Sequence, residues 1–409
     1  MIRAIALAAM LPLAVSAISP ARSDDLVPRG KYLAVLGDCA ACHTRKDGAA
    51  FAGGVGLNSG FGTIYSANIT PDPDTGIGNW SADQFYQAMH KGIAADGSHL
   101  YPAFPYPYFT HMTRADDDAL YAYLRTVPAV HAKPPPNKLP FPLDIRGLMA
   151  IWNALYLSEG EFKPDPAKSP EWNRGAYIVT GPGHCGGCHT PKDFLMGDKD
   201  GQPLAGGVVD GWFAADLSGE PRAGLASWSA GDIDEYLKSG RNVRATASGS
   251  MQEVIALSTS RMTDGDRTAI AAYLKSLPPA APAQPASAPD PAAMRAGEAI
   301  FADVCSACHL AQGTGQPRLF PPLAGDASLQ GRDATTVLRI VLEGSRSLAT
   351  RDAPTPLAMP AFGWKLDDRQ VADVVTYVRN SWGNEASAVD AGDVAKLRHT
   401  LRQKPNDGE

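Results

Sequence analysis

The six cysteines of this 409-residue chain fall into three pairs: Cys39 and Cys42, Cys185 and Cys188, Cys305 and Cys308. Each pair has the form Cys-x-x-Cys, and a histidine follows each at once: His43, His189 and His309. This is the attachment pattern of c-type haem. Cysteines three apart on a helical turn project to one side, so their sulfurs can reach the two vinyl groups of one porphyrin. The adjacent histidine then turns its imidazole to the iron. The pattern predicts three covalently bound haems c, held by Cys39, Cys42, Cys185, Cys188, Cys305 and Cys308, with His43, His189 and His309 on the irons. Three disulfides, zinc sites or redox dithiols could each account for one pair. None of them accounts for the same histidine three times over.

The rest of the chain repeats around those motifs. Arg29-Gly-Lys-Tyr-Leu, Arg174-Gly-Ala-Tyr-Ile and Arg295-Ala-Gly-Glu-Ala-Ile-Phe precede them and read as short helices. An Ala-Gly step follows each: Phe51-Ala-Gly-Gly, Leu204-Ala-Gly-Gly and Leu323-Ala-Gly. In the first two repeats, Trp80 and Trp228 precede helix starts with a capping-box pattern, Ser81 with Gln84 and Ser229 with Asp232. Each repeat closes on a capped helix, at Thr113, Thr263 and Asp367. An apolar stripe at helical spacing follows: Leu120/Tyr123/Leu124, Ile270/Tyr273/Leu274 and Val374/Tyr377/Val378.

The fold class expected is mainly α: three tandem class-I-like cytochrome c domains whose 40 Gly and 34 Pro build ordered loops. The layout is a signal peptide at 1–23, domains at 24–132, 168–279 and 293–384, and a polar tail at 385–409. A linker with an amphipathic helix occupies 133–167, expected to pack between domains or, failing that, against a partner. A Pro/Ala spacer occupies 280–292.

Met1-Ile2-Arg3, an apolar run from Ala4 to Leu13 and small residues near Ala17 and Ala21 form a secretory signal pattern. The mature chain is therefore expected in the periplasm, at the outer face of the cytoplasmic membrane. No later stretch has the length of a membrane span. A formal net charge of −6 argues against a nucleic-acid partner.

A methionine on the second axial position of a haem favours electron transfer, and an open position favours ligand binding or catalysis. In the third repeat Met359-Pro-Ala-Phe-Gly precedes the last helix and supplies the expected ligand. In the first, Tyr101-Pro-Ala-Phe stands at that place. Met112 is the expected ligand there, with His99 and His111 as weaker alternatives and Met89 on a predicted helix. The second repeat offers Met251, read as lying in a loop after a Gly/Ser turn, and Met262, which aligns with Met112 and with Leu366. Met251 is preferred.

Several stretches carry a family likeness: Gly37-Asp-Cys-Ala-Ala-Cys-His-Thr44, Phe61-Gly-Thr-Ile-Tyr-Ser-Ala-Asn-Ile-Thr-Pro-Asp, Leu100-Tyr-Pro-Ala-Phe-Pro-Tyr, Ala272-Tyr-Leu-Lys-Ser-Leu-Pro and Tyr377-Val-Arg-Asn-Ser-Trp-Gly383. From about Arg29 to Gly383 the chain resembles the three-haem cytochrome c subunit of bacterial membrane-bound dehydrogenases acting on alcohols, gluconate, sorbitol, fructose or aldehydes. The resemblance implies a relay from a catalytic subunit (flavin, pyrroloquinoline quinone or molybdenum type), with a possible small third subunit, to ubiquinone or a terminal oxidase. It also implies peripheral membrane association. No Rossmann fingerprint or nucleophile elbow suggests oxidation of an organic substrate by this chain alone. A free-standing periplasmic shuttle and a haem enzyme such as a peroxidase are the competing readings.

Overall fold

The computed structural model describes residues 23–59, 61–279 and 288–403. The signal peptide expected at 1–23 lies outside the described residues but for Ser23, as do residues 280–287 of the Pro/Ala spacer. The architecture is mainly α, with three two-stranded antiparallel hairpins and no larger sheet among the described residues.

Each repeat is built on one helix crossing. Ser23–Leu36 crosses Arg114–Leu124, Pro170–Thr180 crosses Asp264–Lys275, and Pro291–Val304 crosses Asp368–Arg379. The glycine of each lead-in lets the backbones touch. A Cβ on Gly30 would lie 1.9 Å from the Ala119 carbonyl oxygen, on Gly175 1.9 Å from that of Ala269, and on Gly297 2.2 Å from that of Asp373. Tyr123, Tyr273 and Tyr377 pack their own Cβ atoms against the same three points. The second helix of each crossing starts on the expected cap: Thr113, Thr263 and Asp367 accept from the backbone N–H of Asp116, Asp266 and Gln370. Both capping boxes also form, at Ser81 with Gln84 and at Ser229 with Asp232.

The first two repeats share one continuous core, in which Leu33, Leu36, Phe109 and Leu120 pack with Ile178, Val179, Ile270 and Leu274. The third has its own, centred on Phe301, Leu338, Val371 and Val375. A reciprocal clasp joins the first pair. Arg29 Nε donates to Asp116 Oδ1 at 2.7 Å, and Tyr177 of the second repeat donates its hydroxyl to the same carboxylate. In mirror fashion Arg174 donates to both oxygens of Asp266 at 2.7 Å, and Tyr32 of the first repeat donates to Asp266 at 2.7 Å. The recurring Arg-Gly-x-Tyr thus serves two ends, crossing within a repeat and clasping its neighbour.

Burial alone would push the Asp266 carboxyl up. The hydrogen bonds from Arg174 and Tyr32, with the guanidinium charge, outweigh it and hold the group below the usual aspartate range. A depressed folded pKa stabilises fully above the ordinary value of about 3.9, and the stabilisation is lost as pH falls through the lower folded value. The clasp is therefore intact at neutral pH and released only in acid. Asp266→Asn is expected to cost about 2 kcal/mol at pH 7. The difference from the parent should shrink towards zero in urea titrations repeated below about pH 3.

One expectation is corrected below. Within the polar segment at 385–409, Ala391–Gln403 forms a helix docked on the third repeat. Its Val394, Leu397 and Leu401 recur on one face and pack into that core. Arg398 meanwhile donates to Asp368 at 2.7 Å and to the Leu366 carbonyl at 2.9 Å. The average polarity of the segment hid this stripe. Met251 sits in the first turn of the helix Ser250–Leu257, not in a loop. The preceding Gly/Ser turn, with Gly249 at φ +57°, is the entry to that helix.

In the linker the helix Met149–Tyr156 packs between the first two repeats on one face only. Trp152 lies edge-on to Tyr106 and donates Nε1–H to the Leu195 carbonyl at 3.0 Å. Tyr156 donates to Asp193 at 2.6 Å. Ile151 and Leu155 on the opposite face are 62% and 63% exposed. No described helix is long and apolar enough to cross a membrane.

Candidate functional site

The first motif is the single helical turn Cys39–His43. In the second and third, Gly186–His189 and Ser306–His309 follow directly on the first cysteine. In each turn the imidazole is fixed from behind. The Nδ1 atoms of His43 and His189 lie 2.7 Å from the carbonyl oxygens of Ala67 and Ala215, and that of His309 lies 3.1 Å from the oxygen of Pro321. A carbonyl oxygen only accepts, so each Nδ1 carries the proton and each Nε2 is left with its lone pair. Among the described residues Nε2 of these three histidines makes no hydrogen bond. Burial lowers all three imidazole pKa values, which keeps the rings neutral and fit to bind a metal.

The first two Ala-Gly steps, left unexplained by sequence reasoning, belong to this device. Gly53 N–H donates to the His43 carbonyl at 2.8 Å and Gly206 N–H to that of His189 at 2.7 Å. Gly53 has φ +69°, and a Cβ there would sit 2.3 Å from the Ala67 oxygen that orients His43. The hairpins Gly56–Ser59 with Gly62–Tyr65, and Gly207–Val209 with Trp212–Ala214, run directly into Ala67 and Ala215. The strand signal was weak in sequence, and the repeated Gly-Gly is the one signal from which a close backbone approach could have been read.

All six cysteines are free thiols, and only Cys308 is exposed. Burial pushes Cys39, Cys42 and Cys185 up to about 12 and Cys305 up to about 11. A redox dithiol needs a lowered thiol pKa, and these four thiols are shifted the other way. Each cysteine pair lies on one turn beside a neutral, pre-oriented imidazole. That donor set fits a covalently attached haem with one histidine on its iron.

The first two motifs lie against each other. His184 Nε2 is 3.3 Å from the Gly37 carbonyl oxygen, and Phe109 meets the His184 ring edge-on at 5.5 Å. Tyr108 covers the second motif, and a Cβ on Gly186 would fall 2.7 Å from its ring. The third repeat docks through the other end of the second. Thr336 exchanges hydrogen bonds with the backbone of Phe213 at 2.8 and 3.0 Å, and the Arg339 guanidinium lies 4.1 Å over the Trp212 ring.

The methionines fall into two groups. Met112 and Met262 occupy equivalent positions, 1% and 6% exposed within the shared core, and Leu366 fills the same place in the third repeat at 6%. Met251 and Met359 are half-buried, Met359 on the short strand Ala358–Met359. Met89 is buried on the helix Ala82–Lys91. Tyr101, at the place Met359 takes in the third repeat, donates its hydroxyl to the Leu143 carbonyl at 2.9 Å. His111 Nδ1 is tied to the Thr180 carbonyl at 2.8 Å.

A cytochrome c family profile matches residues 27–128 and 294–382, the first and third repeats. The cytochrome c subunit of alcohol dehydrogenase (quinone) from Gluconacetobacter polyoxogenes is 43% identical over 407 residues, covering 93% of this chain and 86% of its own length. The gluconate 2-dehydrogenase cytochrome c subunit of Pantoea cypripedii is 42% identical, covering 92% and 90%. The fructose dehydrogenase cytochrome subunit of Gluconobacter japonicus is 36% identical, covering 93% and 84%.

Proposed function

The chain belongs to the family of dehydrogenase cytochrome c subunits, and on that premise we propose that it is an electron-transfer subunit holding three haems c. One observation carries the reading. The same device of two thiols on one turn and a neutral histidine backed by a carbonyl recurs at Cys39–His43, Cys185–His189 and Cys305–His309. A haem held there supplies a reversible one-electron Fe(III)/Fe(II) couple. The chain's own residues orient the imidazoles, exclude water through the helix crossings and bring the first two motifs into contact. Its partner is the catalytic subunit of a dehydrogenase acting on an alcohol, sugar or aldehyde, and its acceptor is ubiquinone or a terminal oxidase. The place of action is the periplasmic face of the cytoplasmic membrane, with peripheral attachment. Purification from native membranes in mild detergent should bring down a large dehydrogenase subunit in fixed ratio. Recovery of the cytochrome alone in the soluble periplasmic fraction would replace this reading with a free shuttle.

Met112, Met251 and Met359 are the proposed second ligands that would complete the coordination of a haem iron held in each repeat. In the second repeat Met251 is half-buried, and Met262 lies in the shared core as Met112 does. In the first, Tyr101 is engaged elsewhere and Met112 ends the short segment that follows the helix Tyr106–Phe109. Met251→Leu is expected to remove one methionine-to-iron charge-transfer band and lower one reduction potential, whereas Met262→Leu leaves the spectrum unchanged and affects only stability. The reverse pattern would move the ligand to Met262.

A further inference from the structure

The residue just before the first cysteine differs among the three motifs: Asp38, His184 and Val304. Val304 ends the regular helix Pro291–Val304. Asp38 and His184 instead take left-handed backbone, at φ +47° and +36°. That conformation is costly for a residue with a Cβ and persists where the surroundings impose it. The two strained residues belong to the two repeats that share a core and bring their motifs together. The third repeat, with its own core, lacks the feature.

His184 crosses the seam between those two repeats. Its Nε2 lies 3.3 Å from the Gly37 carbonyl oxygen. That oxygen only accepts, so Nε2 carries the proton. Phe109 of the first repeat closes on the ring edge-on at 5.5 Å. Desolvation holds the imidazole below its ordinary pKa, which keeps it neutral. Gly37 is itself fixed, its N–H donating to the Leu33 carbonyl at 2.8 Å. It also stands against the first motif, since a Cβ there would lie 3.4 Å from Cys39 Sγ and 3.7 Å from the Phe109 ring. The connection from Cys185 to Cys39 thus runs through the adjoining His184, its ring, one hydrogen bond and the peptides of Gly37 and Asp38. A neighbouring hydrogen bond, from Ser258 Oγ to the Leu36 carbonyl at 3.4 Å, spans the same seam but starts from no motif.

We propose that His184 is the bridge for electron exchange between the first and second haem sites, a fixed ring joining the Cys185 side to the Cys39 side. The proposal rests on the electron-transfer reading and deepens it by naming the residue that couples two of its centres. In each exchange one site is oxidised from Fe(II) to Fe(III) and the other reduced from Fe(III) to Fe(II). One electron moves and no proton does, because the Nε2–H stays on His184 throughout.

The test uses partly reduced, full-length holoprotein and two-dimensional exchange NMR of the haem methyl signals. His184→Leu should slow exchange between the first two haems several-fold. Haem content, the reduction potentials and exchange with the third haem should stay as in the parent. His184→Gln, whose amide can place an N–H near the Nε2 position, should recover part of the rate. His184→Phe keeps a ring against Phe109 but cannot donate, and it gives the same comparison if the leucine variant does not fold. Ser258→Ala is the structural control: it should lower stability in urea and leave the exchange rate unchanged. A rate unaltered in His184→Leu and His184→Phe, or slowed as much by Ser258→Ala, would reduce His184 to a packing contact and overturn the proposal. Nitrogen NMR of the parent gives a readout that needs no electron. It should show His184 neutral with the proton on Nε2, and a proton on Nδ1 alone would also overturn the proposal. Reduction of the parent by the co-purified dehydrogenase reports the electron-transfer reading separately. Its absence would sink that reading, whereas a parent that is reduced but indifferent to His184 would sink the bridge alone.

Discussion

Cys305→Ser combined with Cys308→Ser is expected to lower the covalently bound haem from three per chain to two. Intact mass and alkaline pyridine spectra of the denatured protein would measure the loss. Both sulfurs belong to one turn, and His309 alone cannot keep a haem through denaturation. The third repeat has its own core, so the loss should stay local. Its apolar centre is small, and a small domain that loses its prosthetic group loses much of the buried surface that stabilises it. The variant should therefore show an early unfolding step absent from the parent, with the two remaining haems unaffected up to the main transition. The same double change at Cys185 and Cys188 should also remove one haem, but it should destabilise both of the first two repeats, which share a core. A loss that spreads the same way from either motif would contradict this division.

Gly175→Val is the substitution expected to destabilise the fold most. The new Cβ would stand 1.9 Å from the Ala269 carbonyl oxygen and 2.9 Å from the Cβ of Tyr273. Neither can yield cheaply, one being helix backbone and the other the root of a packed ring. The helices Pro170–Thr180 and Asp264–Lys275 would have to separate, opening the core and pulling Tyr177 and Arg174 off the clasp. The cost should reach about 4 kcal/mol or more, beyond ordinary overpacking. Gly265→Ala is the matched control. It lies in the same second helix with nothing within 4 Å of a Cβ, and it should stabilise by a few tenths up to about 1 kcal/mol. Urea titration followed in the far ultraviolet would separate the two.

What was legible in the sequence was local. A cap and its partner lie three residues apart, as do the cysteines of a motif, so Ser81 with Gln84, Thr263 with Asp266 and the three Cys-x-x-Cys-His runs could be read without a fold. The lead-in glycines could be recognised as a repeat, but their reason lay far along the chain in the backbone of the closing helix, at Ala119, Ala269 and Asp373. The carbonyls of Ala67, Ala215 and Pro321 leave no signature, since every residue has one. Only the Gly53 and Gly206 steps hinted that some backbone must come close. Likewise Arg29 and Tyr177 clasp one carboxylate from two repeats, so units that look independent in sequence fold onto one core. The helix Ala391–Gln403 was missed because three apolar residues suffice to dock it among many charges.

The central claim is three haems, each with a filled iron, in one electron-carrying chain. A spectroelectrochemical titration of the native protein, calibrated by protein mass and followed by addition of carbon monoxide, tests it most directly. Three one-electron steps per chain, low-spin spectra throughout and no carbon monoxide shift are the predicted result. Fewer than three electrons would break the haem count. A high-spin haem that takes up carbon monoxide would contradict the electron-transfer account and favour catalysis at an open iron.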